Sequence, residues 1–236
     1  MIEEYFFPDS DQLLAALVPD CTQILTTATT AKPRASLLVS GGNSPKPLYN
    51  QLSHQSLAWA AIDVALVDER WVAPKEPGSN ESFIKANLLQ HHAAAANFIA
   101  MKNAAVSAQL GYAECEAAYQ QLTSPFDLTI LGMGPDGHTA SLFPHASGLT
   151  AALDNNQLAL CSVIEANQSE VTGLLTERMT LSLAGILRSK QLILLITGEH
   201  KLKVYKDAIT QSDVLATPIS AVLQQTKVPL KVYWAP

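Results

Sequence analysis

Charged residues are scarce in this sequence: Asp, Glu, Lys and Arg together make up only 15% of its 236 residues. Basic residues are the rarer kind, with 15 Lys and Arg against 21 Asp and Glu, for a formal net charge of −6. That balance argues against a nucleic-acid-binding protein with a broad basic face. An anionic ligand would have to be held locally, by a few cations and backbone N–H groups. Apolar residues make up 48%, which excludes a disordered or fibrous chain.

Cysteine and long apolar runs are also scarce. The three cysteines, Cys21, Cys115 and Cys161, lie far apart, and no CxxC or Cys/His zinc spacing accompanies them. We therefore predict reduced thiols in the core of a protein from a reducing compartment, and no metal site. No run of about 18 apolar residues occurs, and the acidic N-terminus lacks the basic region and apolar core of a secretory leader. These absences predict a cytoplasmic protein without a membrane span.

Apolar and β-branched runs predict strands that alternate with helices along the whole chain. The predicted strands cover residues 2–7, 35–39, 62–67, 126–131, 158–164, 191–196 and 229–234. Several of them are continuously apolar, as is typical of strands buried on both faces of a parallel sheet. The sequence therefore predicts an α/β fold, a mainly parallel Rossmann-like sheet with helices on both faces. No internal repeat or linker is visible, and we expect a single domain over residues 1–236.

Helices are predicted between the strands. In three of them, particular residues predict where the helix breaks, ends or begins. Pro19 should kink or break the first helix, because proline lacks an N–H group and its ring clashes with the preceding turn. His91 and His92 should close a helix that begins after residues 79–80 and complement its dipole. Arg178–Thr180 should open a later helix, which continues through apolar residues at helical spacing.

The first candidate site is a glycine-rich loop after the predicted strand at residues 126–131. Three glycines follow that strand, and Asp136 and His138 lie among them. Glycines let a backbone take positive φ and approach a ligand closely. An Asp two residues before a His can hold an imidazole in one tautomer, as acid–base catalysis requires. The alternative is a plain turn in which Asp136 forms an Asx-turn and His138 plays no chemical part.

A second glycine-rich loop, SGGNSP at residues 40–45, joins a predicted strand to a helix that Pro45 can begin. Free N–H groups and the helix dipole both favour an anion at such a place. The loop is neither a P-loop nor a dinucleotide-binding GxGxxG sequence, and a plain strand-to-helix turn is an equally open alternative. The residues that would form the anion site are Gly41, Gly42, Asn43 and Ser44.

Charged residues follow two other predicted strands. Asp68, Glu69 and Arg70 come directly after the third strand, and Lys201 follows the sixth. Burying three charges is costly unless they pair or face a cleft. The alternatives are an exposed loop with an Arg–carboxylate pair and, for Lys201, a solvated helix face. Because parallel sheets bind ligands beyond the carboxyl ends of their strands, we expect all four loops to meet at one rim.

Taken in order, these stretches resemble the 6-phosphogluconolactonase family, whose superfamily includes glucosamine-6-phosphate deaminases and ribose-5-phosphate isomerases. Residues 132–144 are similar to the GxGxDGHTASLFP signature of the family almost letter for letter. The other similar stretches are SGGxTP at 40–45, DERWV at 68–72, SN at 79–80, R-x-T at 178–180, TGxxK at 197–201 and Pro218. The departures are Ser44 for a common Thr, Glu177 for a frequent Pro, and an end two residues after Trp234.

The resemblance implies hydrolysis of 6-phospho-D-glucono-1,5-lactone without a metal or an organic cofactor. It implies that His138 is the base that activates water, with Asp136 or Asp68 to orient it. Donors for the oxyanion are expected from Arg70 or from loop N–H groups. No catalytic position of the family is lost among the departures.

The resemblance also implies where the phosphate binds and which rival functions to consider. The phosphate is expected on residues 41–44, with charge supplied by Arg178 and Lys201. The GHIAFNEP-type loop of the deaminases carries a proton-shuttling Glu that this chain lacks, which favours hydrolysis over isomerisation. A non-enzymatic sugar-phosphate sensor is the other rival. The only partner expected is the small-molecule substrate, with no nucleic acid or membrane, and the chain is expected to be a monomer or a small homo-oligomer.

Overall fold

The computed structural model describes residues 2–236, which contain two β-sheets. The strands in chain order are β1 (Ile2–Phe6), β2 (Ala35–Val39), β3 (Ile62–Leu66), β4 (Asp68–Arg70), β5 (Asn97–Ile99), β6 (Leu128–Leu131), β7 (Cys161–Glu165), β8 (Glu177–Leu181), β9 (Leu192–Thr197) and β10 (Leu230–Ala235). The larger sheet has seven strands in the order β1-β10-β9-β6-β2-β3-β5, and every neighbouring pair is parallel. The predicted parallel sheet is confirmed.

Helices surround this sheet, as the predicted α/β class requires. The α-helices are α1 (Ser10–Ala31), α2 (Lys46–Ser53), α3 (Asn80–Asn87), α4 (Ala108–Gln120), α5 (Leu149–Ala152), α6 (Leu183–Ile186), α7 (Glu199–Thr210) and α8 (Ile219–Leu223), with short 3-10 helices at Trp59–Ala61 and His91–Ala95. Within residues 2–236, no helix has both the length and the apolar character needed to cross a membrane.

The order of the strands reverses at the middle of the large sheet. From β2 the chain moves through β3 to β5 at one edge, whereas from β6 it moves through β9 toward β10 and the other edge. The loops after β2 and β6 therefore flank the topological switch point, where such sheets open a crevice for ligands. Burial of every side chain in β2, β3 and β6 makes this centre rigid.

The second sheet is small and antiparallel, in the order β4-β8-β7. It pairs Asp68 with Thr180 and Arg70 with Arg178 across β4 and β8. The prediction that Arg178–Thr180 open a helix is therefore wrong, because these residues lie within β8. Pairing with β4, more than a hundred residues earlier in the chain, overrides the local helical spacing.

The predictions of a break at Pro19 and of a helix closed by His91 and His92 are also wrong. Helix α1 continues through Pro19 without a break, because Leu17, Cys21 and Leu25 bury one face of it completely. That burial outweighs the roughly 3 kcal/mol that a proline costs inside a helix. His91 does not close α3, which ends at Asn87. His91 has a positive φ of 50° and begins a 3-10 helix, and its ring stacks on that of His54 with the centroids 3.8 Å apart.

The cysteines are buried and unbonded, as predicted. Cys115 and Cys161 face each other with their Sγ atoms 3.8 Å apart, and Cys21 packs in the face of α1. Burial raises the pKa of Cys161 well above its ordinary value, and the neighbouring Cys115 and Glu116 add to this effect. These thiols therefore behave as core side chains.

Candidate active site

The four polar loops meet at one cavity of about 260 Å³ at the carboxyl edge of the large sheet. Nine residues singled out from the sequence line it: Gly41, Gly42, Asn43, Ser44, Asp68, Arg70, His138, Arg178 and Lys201. Asp136 does not line the cavity and lies behind His138, to which it is hydrogen-bonded. Within residues 2–236, no three His, Cys, Asp or Glu side chains are grouped to hold a metal ion.

His138 and Asp136 form a close pair. Nδ1 of His138 lies 2.5 Å from Oδ1 of Asp136, which also accepts a 3.2 Å hydrogen bond from the backbone N–H of His138. Burial alone would raise the pKa of Asp136, but the hydrogen bonds and charge of His138 lower it below the ordinary value. An ionised Asp136 fixes the proton of the neutral imidazole on Nδ1 and leaves Nε2 as the acceptor.

The glycines of this loop make the pair possible. The N–H of Gly134 donates to the carbonyl oxygen of His138 at 2.9 Å, and the N–H of Gly137 donates to that of Gly134 at 3.1 Å. Gly137 has a φ of 79°, which favours glycine. Phe143 packs against the imidazole with ring centroids 4.2 Å apart and forms one wall of the cavity.

Asp68 is held by two neutral donors and not by the histidine. The hydroxyl of Ser141 donates to its Oδ2 at 2.6 Å. The amide of Asn80 donates to its backbone carbonyl oxygen at 2.9 Å and to its Oδ1 at 3.2 Å. Two carboxylates were candidates to orient the imidazole. In the structure Asp136 is hydrogen-bonded to His138, whereas the carboxylate of Asp68 is hydrogen-bonded to Asn80 and Ser141.

Glu69 is fully buried and anchors helix α3. Its carboxylate accepts hydrogen bonds from the N–H groups of Asn80 and Glu81, both at 2.7 Å, and from the hydroxyl of Ser79 at 3.0 Å. Burial raises the pKa of Glu69, and these hydrogen bonds oppose the rise. The N-terminus of α3 compensates the negative charge of this buried carboxylate. Glu69, one of the three charged residues after β3, can therefore be buried without an ion pair.

The two arginines of the site face each other across β4 and β8. Nη1 of Arg70 donates to the carbonyl oxygen of Gly78 at 2.5 Å, and its buried Nε makes no hydrogen bond with the described residues. Residues 2–236 contain no salt bridge to Arg70, so the alternative of an exposed Arg–carboxylate pair does not describe this site.

Arg178 is almost completely buried, with 2% of its surface exposed. Its Nε donates to Leu175 O at 2.7 Å and its Nη2 to Thr172 O at 3.2 Å, so it ties the loop before β8 to the cavity wall. Burial lowers the pKa of Arg178 to about 10, with Asp68 opposing this effect and Arg70 adding to it. The side chain stays charged at neutral pH, and its hydrogen bonds to Leu175 and Thr172 use Nε and Nη2 and not Nη1.

The loop after β2 is tied to β9. Ser44 Oγ lies 2.8 Å from Thr197 Oγ1, and Gly42 has a φ of 102°. A Cβ atom at Gly41 would lie 2.0 Å from Oδ1 of Asn80, so only glycine fits there. Lys201 lines the cavity, and burial lowers the pKa of its amine.

Some residues that shape the site carry no local signal in the sequence. Asn80 appears in the sequence analysis only within the SN pair at 79–80, yet its amide donates to Asp68 and its Oδ1 packs beside Gly41. The hydroxyl of Ser141 donates to Asp68, which lies 73 residues earlier in the chain. Contacts of this range follow from the strand order and not from spacing.

Comparison with known proteins agrees with this geometry. The family described as glucosamine-6-phosphate isomerases/6-phosphogluconolactonase matches residues 8–234. A 6-phosphogluconolactonase of Rhizobium meliloti is 36% identical over 98% of this chain and 98% of its own length. One from Mesorhizobium japonicum is 38% identical over 98% of this chain and 94% of its own.

Solved structures give the same result. The crystal structure of a 6-phosphogluconolactonase from Shewanella baltica superposes with a TM-score of 0.93 at 37% identity, covering 100% of this chain and 98% of that one. A monomeric glucosamine-6-phosphate deaminase superposes with a TM-score of 0.78, but at 18% identity it shares the fold alone. This chain belongs to the glucosamine-6-phosphate isomerase/6-phosphogluconolactonase family.

Proposed function

We propose that this protein hydrolyses 6-phospho-D-glucono-1,5-lactone to 6-phospho-D-gluconate, the second step of the oxidative pentose phosphate pathway. The observation that carries the proposal is the His138–Asp136 pair in the same cavity as the glycine-rich loop at the start of α2. Together they would provide a base for water and an anion site in one cavity of about 260 Å³. The full-length similarity to proteins named 6-phosphogluconolactonase supports the choice of substrate.

In the proposed reaction, His138 takes a proton from water while the water oxygen attacks the lactone carbonyl carbon. The Nδ1–H bond to Asp136 orients the ring and stabilises the imidazolium that forms. When the tetrahedral intermediate collapses, the bond from the carbonyl carbon to the ring oxygen breaks, and His138 returns its proton to that oxygen. The groups of this chain suffice, and no metal or organic cofactor takes part.

The negative charge that develops on the carbonyl oxygen needs donors. Arg70 is our candidate, because it lines the cavity and its Nε has no hydrogen bond to the described residues. The N–H groups of the glycine-rich loop before His138 are the other candidates. Removing one such donor costs on the order of a hundredfold in turnover in well-studied hydrolases.

The phosphate is proposed to bind residues 41–44 and the N-terminus of α2. The positive φ of Gly42 lets the backbone approach a ligand closely, and the helix dipole favours an anion there. Lys201 would supply a nearby cation, since it makes no salt bridge within residues 2–236. Arg178 can add the Nη1 edge of its guanidinium. We also propose that the chain works as one domain over residues 1–236.

The test is the loss of freshly generated 6-phosphogluconolactone, measured with wild type, His138→Ala and no protein side by side. The lactone hydrolyses without help, so the sample without protein sets the background. Acceleration by wild type that is lost in His138→Ala, with little change in substrate affinity, is the expected result. Acceleration that survives in His138→Ala would keep the activity and reject the base.

No acceleration above background would reject the lactonase proposal. The assays to follow use glucosamine 6-phosphate and ribose 5-phosphate, the substrates of the rival enzymes on this scaffold. Binding of 6-phosphogluconate without turnover of any of the three would instead indicate a sensor.

A further inference from the structure

Ser40 carries a buried hydroxyl without a partner at the centre of the carboxyl edge. It is the first residue after β2, and only 5% of it is exposed. Its backbone carbonyl accepts a 2.8 Å hydrogen bond from the hydroxyl of Tyr49, which fixes the main chain. Its Oγ makes no hydrogen bond with any of the described residues. A buried hydroxyl left unpaired costs about 1–3 kcal/mol, so this one calls for an explanation.

The surroundings of Ser40 point to a ligand. Ser40 lines the same cavity as His138 and Asp68. Its Oγ lies 3.8 Å from the point that a Cβ atom of Gly132 would occupy, so Ser40 lies beside a glycine that also lines the cavity. No hydrogen bond fixes its χ1, and rotation of Oγ toward a bound molecule would break none.

Few buried side-chain nitrogen and oxygen atoms lack a hydrogen-bond partner, and they differ in whether their residue lines the cavity. Among the described residues they belong to Thr22, Ser40, Arg70, Glu81 and Ser220. Only Ser40 and Arg70 line the cavity. Ser220 lies in α8, is completely buried and does not line the cavity, so it provides a matched serine for comparison.

We propose that the Ser40 hydroxyl binds a hydroxyl group of the sugar ring and so contributes to selection of a polyhydroxylated substrate. The inference rests on the proposed lactonase function. A serine hydroxyl both donates and accepts, which suits a sugar hydroxyl. The loop proposed to bind the phosphate begins at the next residue, so a sugar that carries this phosphate would bind beside Ser40. Because this contact is the same in the ground state and the transition state, it contributes to KM and not to kcat.

The test compares wild type, Ser40→Ala and Ser220→Ala in the lactone assay. We expect Ser40→Ala to raise KM roughly tenfold, the equivalent of about 1.4 kcal/mol, with kcat within about twofold of wild type. Its thermal midpoint should not fall, because the substitution removes no hydrogen bond within the protein. Ser220→Ala should leave KM and kcat unchanged.

Three outcomes would overturn the proposal while wild type is active. They are an unchanged KM in Ser40→Ala, a loss of kcat at unchanged KM, and a rise in the inhibition constant of inorganic phosphate that matches the rise in KM. The last would assign the hydroxyl to the phosphate group. If wild type does not hydrolyse the lactone, the lactonase function fails, and calorimetric binding of 6-phosphogluconate decides on Ser40. About tenfold weaker binding by Ser40→Ala then supports the contact, and equal binding rejects it.

Discussion

A Cβ atom at Gly134 would lie 2.1 Å from Nδ1 of His138 and 2.7 Å from Oδ1 of Asp136. Both atoms belong to the hydrogen bond that orients the imidazole, so any side chain at position 134 must push the pair apart. We expect Gly134→Ala to lower kcat at least tenfold, because a small misplacement of a catalytic group has large effects on rate. The lactone assay measures kcat, and thermal unfolding shows whether the variant is folded.

Gly173→Ala is the control for that experiment. Gly173 has a positive φ of 61°, unlike Gly134, and nothing lies within 4 Å of its Cβ position. This variant should lose about 1 kcal/mol of stability from its backbone and keep its kcat. An equal loss of kcat in both variants would mean that contact of the added methyl group with His138 is not responsible.

Replacing Arg178 by alanine and replacing Lys201 by alanine should affect KM alike but stability differently. Both are proposed to bind the phosphate, so both substitutions should raise KM about tenfold or more. Only Arg178 also holds Leu175 and Thr172 by hydrogen bonds from a buried side chain. We therefore expect Arg178→Ala to lose about 2–4 kcal/mol in the free energy of unfolding, and Lys201→Ala less than about 0.5 kcal/mol. Urea unfolding measures the difference, and equal losses would contradict this division.

Asp63 should make stability depend on pH far from the cavity. Burial acts to raise the pKa of Asp63, but hydrogen bonds from Arg34 and Asn97 and the charge of Arg34 lower it below 3.8. A carboxyl whose pKa is lowered on folding contributes stability above its unfolded pKa and loses that contribution as pH falls through the folded pKa. At neutral pH, Asp63→Asn should cost about 1 kcal/mol, since Arg34 is partly exposed and screened.

The difference in thermal midpoint between wild type and Asp63→Asn should shrink as pH falls below about 4. The kcat of the variant should stay unchanged, because Asp63 does not line the cavity. A difference that stays constant down to about pH 2 would show that the ion pair does not control the titration of this carboxyl.

The parts of the site that sequence could predict are those whose residues are close along the chain. Asp136 and His138 are two positions apart, and the loop at residues 40–45 carries its glycines before a helix start, so local rules sufficed. The parallel sheet followed from the apolar strands. For three of the ten residues proposed for the site, spacing along the chain could not predict the surroundings. Arg178 lies in a strand, Asp68 is hydrogen-bonded to Ser141 and not to the imidazole, and Gly41 packs against Asn80.

These differences have a common physical cause. The apolar residues that follow Arg178–Thr180 are spaced as in a helix. The segment Arg178–Thr180 nevertheless pairs with β4, more than a hundred residues earlier in the chain. Asp68 has two donors, and both come from elements brought to it by the strand order. Local patterns predict elements, whereas the pairing of distant elements decides which polar groups meet.

Asn80 provides the sharpest test of how the loops are coupled. Both acceptors of its amide are oxygens of Asp68, so the NH2 group must face Asp68 and Oδ1 must face Gly41. Asn80→Ala removes the donors and leaves Asp68 with Ser141. Asn80→Asp also removes them, and in addition sets a second carboxylate against Asp68 and beside the proposed phosphate loop.

We expect kcat/KM to fall about tenfold in Asn80→Ala and about a further tenfold in Asn80→Asp, although aspartate is closer to asparagine in shape. Like charges a few ångströms apart repel, and an anion near the loop opposes phosphate binding. The extra loss in Asn80→Asp should diminish as pH is lowered toward about 4, where the introduced carboxyl takes up a proton. If Asn80→Ala is the weaker enzyme at every pH, then the size of the side chain matters at this position and its charge does not.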